Sequence, residues 1–135
     1  MLKKVHHINF VVRDLDTAID RYQLLFNARF GHRESLSDRG AEAARFRLGN
    51  VWIVLVQPTR PDSILGRYLE DHGEGFLLIS YQVDDVIKSA KCIEEHGVNL
   101  LNSTPRHGLD DWRVIDLDPQ ATFGVPVQII ESGDD

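Results

Sequence analysis

Val5-His6-His7-Ile8-Asn9-Phe10-Val11-Val12-Arg13-Asp14-Leu15 decides the fold, because Phe76-Leu77-Leu78-Ile79-Ser80-Tyr81-Gln82-Val83-Asp84-Asp85-Val86 repeats its pattern. With Val5 laid on Phe76, an offset of 71 positions, His7 falls on Leu78, Val12 on Val83 and Asp14 on Asp85. Both stretches are β-rich runs ending at an aspartate. Few residues are identical, so the repeat lies in the pattern. A helix follows each aspartate, a residue type suited to the N-cap because its carboxylate accepts from free N–H groups of the first turn. Leu15, Ala18, Ile19, Tyr22, Leu25 and Phe26 recur at helical spacing after Asp14, and Val86, Ile87, Ala90 and Ile93 do so after Asp85. Gly97 stands where a left-handed C-terminal cap belongs.

Strand-like runs follow each helix: 29–34, 43–48 and 51–57 in the first half, 99–102, 112–117 and 125–130 in the second. Gly49-Asn50 reads as a tight hairpin turn. The expected fold class is α+β: two tandem βαβββ modules forming a paired, curved sheet that encloses a cleft. The whole of 1–135 reads as one domain, with modules at 1–57 and 75–131. A helical linker at 58–74 joins them, its helix starting near Pro61-Asp62-Ser63 and ending by Gly73. The tail from Glu131 to Asp135 reads as polar and loose.

Composition narrows the function. The 135 residues carry 15 Lys plus Arg against 21 Asp plus Glu, a formal charge of −6. No basic stripe is available to neutralise phosphates, so nucleic acid is not an expected partner. One cysteine, Cys92, precludes an internal disulfide framework and a multi-cysteine zinc site. No run approaches the roughly 18 apolar residues of a membrane span. The expectation is a cytoplasmic protein with a small-molecule partner and no membrane partner.

The sequence resembles the vicinal oxygen chelate superfamily of glyoxalases, bleomycin-resistance proteins and dioxygenases, and most of all its methylmalonyl-CoA epimerase-like branch. The segments carrying this run through nearly the whole chain: His7 to Leu15, Arg39-Gly40 leading to Leu48-Gly49-Asn50, Gln57-Pro58, Gly73-Glu74-Gly75 leading to Val83-Asp84-Asp85, Glu95-His96-Gly97-Val98 and Thr104-Pro105-Arg106. The resemblance implies a glyoxalase-like fold, a homodimer and a divalent metal held by two side chains from each half. It places those ligands at His7, Val54, Leu78 and Gln128. Two of these are aliphatic and Gln128 is a neutral donor, so coordination number and charge are too low for a catalytic divalent ion. A metal is therefore disfavoured, and no other cofactor is expected. The acidic base that some branch members use falls on Ala43, so it too is missing.

His7 remains as a general base, a residual ligand or a polar residue lining the cleft. His107, in the chemistry-rich loop from Arg106 to Arg113, is the second catalytic candidate. Asn9, Trp52, Val54, Leu78, Ser80, Arg113 and Gln128 are the substrate-binding candidates, polar groups converging within apolar walls. The plain alternative is that the inward residues fill the cleft as core and that the loop carries only local Asp–Arg pairs. Two functions follow. One is an epimerase- or lyase-like enzyme, an isomerase or lyase acting on an oxygenated acid or acyl thioester. The other is a metal-free protein that binds a small molecule, of the antibiotic-sequestering kind.

Overall fold

The structure, a computed structural model, describes residues 1–133. Its elements run β1 (Lys4–Val11), α1 (Leu15–Phe26), β2 (Glu34–Leu36), β3 (Ala41–Leu48), β4 (Val51–Pro58), α2 (Ile64–His72), β5 (Gly75–Gln82), α3 (Val86–Glu95), β6 (Arg106–His107), β7 (Arg113–Asp116) and β8 (Val127–Glu131), with 3-10 turns at Ser37–Arg39 and Pro119–Thr122. The α+β class and the βαβββ order of both halves are those expected. No helix among the described residues is long and apolar enough to cross a membrane.

The chain divides into two units: Ile8–Leu77, and Met1–His7 together with the chain from Leu78 onward. The boundary cuts through β1, so the first seven residues join the C-terminal half rather than the N-terminal one. In the first unit, β2, β3 and β4 form an antiparallel meander, with Leu48 opposite Val51 across the Gly49-Asn50 turn. Val12 N–H donates to Val56 C=O just past the end of β1. The core here is Leu15, Ala44 and Leu55, with Phe10, Val12, Ala18, Ile19, Tyr22 and Phe30 packed around it. In the second unit, β5 pairs in parallel with β8, which pairs antiparallel with β7, and β7 with β6. Lys3 N–H donates to Gln82 C=O. Val83, Val86, Ala90, Ile115, Leu117 and Ile129 form its core.

The two units cap their helices in the same way, so the repeat in sequence has a physical counterpart. Asp14 accepts from Thr17 N–H at 3.1 Å and Asp85 from Lys88 N–H at 3.0 Å. A second side chain from the end of a strand then takes the next free donor. Gln57 Oε1 accepts from Leu15 N–H at 2.7 Å, and Glu131 Oε1 accepts from Val86 N–H at 3.1 Å. These bonds satisfy amides that have no partner within the helix. Replacing Gln57 by alanine is expected to destabilise the protein by about 1 kcal/mol, seen as a lower urea midpoint with an unchanged slope.

Several expected boundaries change. The strand expected at 29–34 is β2 at Glu34–Leu36 instead. Residues 29–33 are held by Gly31 N–H donating to Arg45 C=O and by Arg33 reaching Asp16 and Glu42. The strand expected at 99–102 shrinks to one bridge, Leu100 to Leu117. There the Asn102 carboxamide takes the place of a neighbouring backbone: Nδ2 donates to Thr104 and Val114 carbonyls, and Oδ1 accepts from Asp116 N–H. Such side-chain bonding competes with a ladder and ends it. Leu25 and Phe26 leave the buried stripe of α1 and are exposed, as is Ile87 in α3.

The tail is not loose where it is described. Glu131 closes β8 and accepts from Arg113 at 3.1 Å, and Gly133 N–H donates to Asp111 at 2.9 Å. Asp134 and Asp135 lie outside the described residues.

Candidate functional site

The unusual chemistry of the second unit gathers around β1 and the turn before β7. His6 and His7 are both buried, at 0% and 2% exposure, and their Nδ1 atoms lie 2.9 Å apart. Alternation along a strand puts neighbouring side chains on opposite faces, yet these two imidazoles meet. Trp112 reconciles the two. Its ring stacks on His7 at 4.5 Å and 14°, and meets His6 edge-on at 4.7 Å and 88°. Trp112 was expected to open a strand. It sits instead in a turn, where its N–H donates to Leu109 C=O and its C=O accepts from Gly108 N–H. A Cβ on Gly108 would stand 3.3 Å from Trp112 Cβ, so glycine suits this approach.

A second group lies across the strands. Ser80 on β5 pairs with Gln128 on β8, and Gln128 with Asp116 on β7. Paired residues project to one face, so a hydroxyl, a carboxamide and a carboxylate form a row. Arg106 closes it with two bonds to Asp116, 2.8 and 3.1 Å long. Ser80 and Gln128 are 0% and 3% exposed, and Ser80 Oγ and Gln128 Oε1 have no hydrogen-bond partner among the described residues. An unsatisfied buried polar atom costs about 1–3 kcal/mol. Two adjacent ones mark a place where a ligand's polar groups would be welcome. Leu78, two residues before Ser80 on the same strand, is buried beside them.

The remaining candidates are placed differently. His107 is exposed on the short strand β6. Arg113 is committed to Glu131. In the first unit, Asn9 is half-buried with Oδ1 unpartnered. Val54 is 1% exposed and stands opposite Arg45. Trp52 lies under the guanidinium groups of Arg45 and Arg47, at 4.4 and 4.9 Å. Ala43 is buried, while Glu42 beside it pairs with Arg33. His72 and His96 contact backbone carbonyls one turn back through Nδ1: Tyr68 at 3.1 Å and Cys92 at 2.8 Å.

Among the described residues, no three His, Cys, Asp or Glu side chains converge. His7 is packed against an indole and a second imidazole, and Gln57 is spent on a helix cap. This donor set does not fit the divalent ion that the resemblance implies. Sequence reasoning missed Trp112 and the contact of both histidines with it. The available signal was a single tryptophan in an otherwise polar loop, Asp110-Asp111-Trp112-Arg113.

Residues 6–115 match the family model of the glyoxalase/bleomycin resistance protein/dioxygenase superfamily. Among curated proteins, the chain is 25% identical over 130 residues to the uncharacterized protein YqjC of Bacillus subtilis (strain 168), covering 96% of this chain and 93% of the relative. It is 25% identical over 129 residues to the mitochondrial methylmalonyl-CoA epimerase of Dictyostelium discoideum, covering 95% and 78%. Among solved structures, a methylmalonyl-CoA epimerase in complex with methylmalonyl-CoA and ammonium superposes with a TM-score of 0.94 at 29% identity, covering 98% and 96%. The glyoxalase-like fold expected from the sequence is therefore the fold observed.

Proposed function

The chain belongs to the glyoxalase/bleomycin resistance protein/dioxygenase superfamily, and from that premise we propose that it is an isomerase acting on an acyl-CoA thioester, moving a proton at the carbon next to the thioester carbonyl. The observation carrying this reading is the likeness to a methylmalonyl-CoA epimerase bound to methylmalonyl-CoA, at 29% identity over 98% of this chain. The buried polar row of the second unit supports it.

In the proposed reaction a C–H bond breaks and its electron pair moves onto the thioester oxygen, giving an enolate. His7 takes the proton. Its Nδ1 lies 2.9 Å from His6 Nδ1, so Nε2 is the ring atom assigned to the transfer. Ser80 Oγ–H and the Gln128 Nε2–H group are assigned as donors to the thioester and enolate oxygens, where fixed donors lower the barrier most. Return of a proton to carbon completes the isomerisation. His107, open to solvent on β6, is assigned as the second acid–base group.

The experiment is deuterium wash-in. In D₂O, methylmalonyl-CoA incubated with the protein is expected to take up deuterium at the carbon between its carbonyls, at a rate proportional to protein concentration. Exchange no faster than in buffer would overturn the reading. A second reading, a protein that binds without catalysing, is favoured by Trp112, which covers His7 and leaves it 2% exposed. Saturable binding of the thioester with no exchange would establish it.

A further inference from the structure

The first unit's core is left open at one end. A cavity of about 690 Å³ lies where the last turn of α1 meets the tip of the β3–β4 hairpin, lined by Tyr22, Phe26, Phe46, Leu48 and Ile53, with Arg29 and Arg47 at its margin. Its volume falls in the roughly 300–1,000 Å³ range of small-molecule sites. A second cavity of about 390 Å³ shares Arg29, Phe46 and Arg47 as a wall. The two differ in character: the larger is walled by aromatic and aliphatic side chains, while the smaller adds Arg45 and Trp52.

The charge around these cavities opposes that of the molecule. The chain carries a formal −6, yet the residues lining the larger cavity include two arginines and no carboxylate. Arg47 is held in place, its Nε donating to Gly49 C=O at 3.2 Å and its guanidinium lying 4.9 Å over Trp52. Arg45 is offset by Glu34 at 3.6 Å. Arg29 is exposed and has no ion pair or hydrogen bond among the described residues. The apolar chamber is thus bordered by one guanidinium already positioned and one still uncommitted.

We propose that this cavity binds an amphipathic carboxylate, its single aliphatic chain between Tyr22, Phe46 and Ile53 and its head group between Arg29 and Arg47. A guanidinium matches a carboxylate in shape and charge, and binds it with two parallel bonds where geometry allows. The chain supplies affinity through burial and the head group supplies orientation. The inference uses residues of the first unit alone and does not rest on the reaction proposed above.

Calorimetric titration of the whole chain with octanoate, decanoate, decanol, decyltrimethylammonium and decanoyl-CoA tests it. Decanoate is expected to bind more tightly than octanoate, by roughly fourfold per added methylene. It is also expected to bind several-fold more tightly than decanol, and the cationic amphiphile most weakly. Decanoyl-CoA binding above decanoate that Leu48→Trp removes would make a thioester, not a free acid, the occupant of this cavity and would overturn the assignment. Arg29→Gln should weaken decanoate several-fold and leave decanol unchanged. Leu48→Trp, at an exposed position on the cavity wall, should fill the space and abolish both without unfolding the protein. Equal affinity for decanoate and decanol, or decanoate binding that survives Leu48→Trp, would refute the proposal. So would failure of decanoate to bind together with a dimer that Leu48→Trp dissociates in sedimentation, since the cavity would then be a surface between two copies.

Discussion

Replacing Trp112 by alanine is expected to lower the unfolding free energy by about 3–5 kcal/mol, the largest stability effect foreseen for a single substitution in this chain. The indole is 2% exposed, so truncation removes nearly all of a large buried surface. Its two ring contacts, stacked on His7 and edge-on to His6, each add about 0.5–1.5 kcal/mol beyond the area they cover. The site cannot collapse easily, because Gly108 carries no side chain to fill it and His6 and His7 are fixed to β1. Small domains hold only about 5–15 kcal/mol of stability, so the variant would stand near the edge of folding. Trp112→Phe keeps a ring on His7 and should lose less than half as much. Urea denaturation followed by circular dichroism measures both, with the slope checked for constancy. A loss below about 1 kcal/mol for Trp112→Ala would show that the stack is incidental to packing.

The fold was legible because it rests on two signals that survive without tertiary context. Hydrophobic spacing placed α1, α3 and most strands, and Asp14, Asp85 and the Pro61-Asp62-Ser63 run marked helix starts, where the structure places Asp14, Asp85 and Ser63 as N-caps. What failed were boundaries set by single side chains acting at a distance. Asn102 ends a ladder by bonding to residues 2, 12 and 14 positions away, and nothing local announces that. Phe26 belongs to the helical stripe of α1 by spacing, but it is 67% exposed beside the open cavity. At the candidate site, family resemblance singled out His7 and Gln128 and the inward-facing polar pattern added Ser80, and all three are buried in the second unit. It could not supply Trp112, whose role depends on a turn closed by Leu109 and Gly108. Nor could it supply the approach of His6 to His7, since strand alternation argues the opposite. Arg113 looked like a ligand-facing cation from its loop context, and its pairing with Glu131 follows from strand register that only the fold provides.

The second large effect concerns the reaction. His7→Gln is expected to reduce deuterium exchange into methylmalonyl-CoA by roughly 10²–10⁴-fold, the usual worth of a positioned acid–base group, while thioester affinity changes only a few-fold. The argument turns on the histidine pair. Two Nδ1 atoms 2.9 Å apart require one ring to donate and the other to accept. When His7 Nδ1 carries the proton, its Nε2 holds a lone pair and can act as a base. When His6 Nδ1 carries it, His7 Nε2 is protonated and can act as an acid. Once His7 Nε2 has taken the substrate proton, passing the Nδ1 proton to His6 leaves His7 neutral and places the charge on His6, so the pair disperses the charge of the proton removed while His107 is left to return one to carbon. Trp112, stacked within 14° of the His7 plane, holds the ring in the orientation both states share. His6→Phe preserves a buried ring and removes the exchange partner. It should slow exchange several-fold in both directions, since deuterium wash-in and loss of label from a substrate deuterated beforehand each need removal and return of a proton. His107→Ala should leave the first step intact. Full exchange activity in His7→Gln, with folding verified by circular dichroism, would take the proton transfer away from His7 and leave the pair a packing element beneath Trp112.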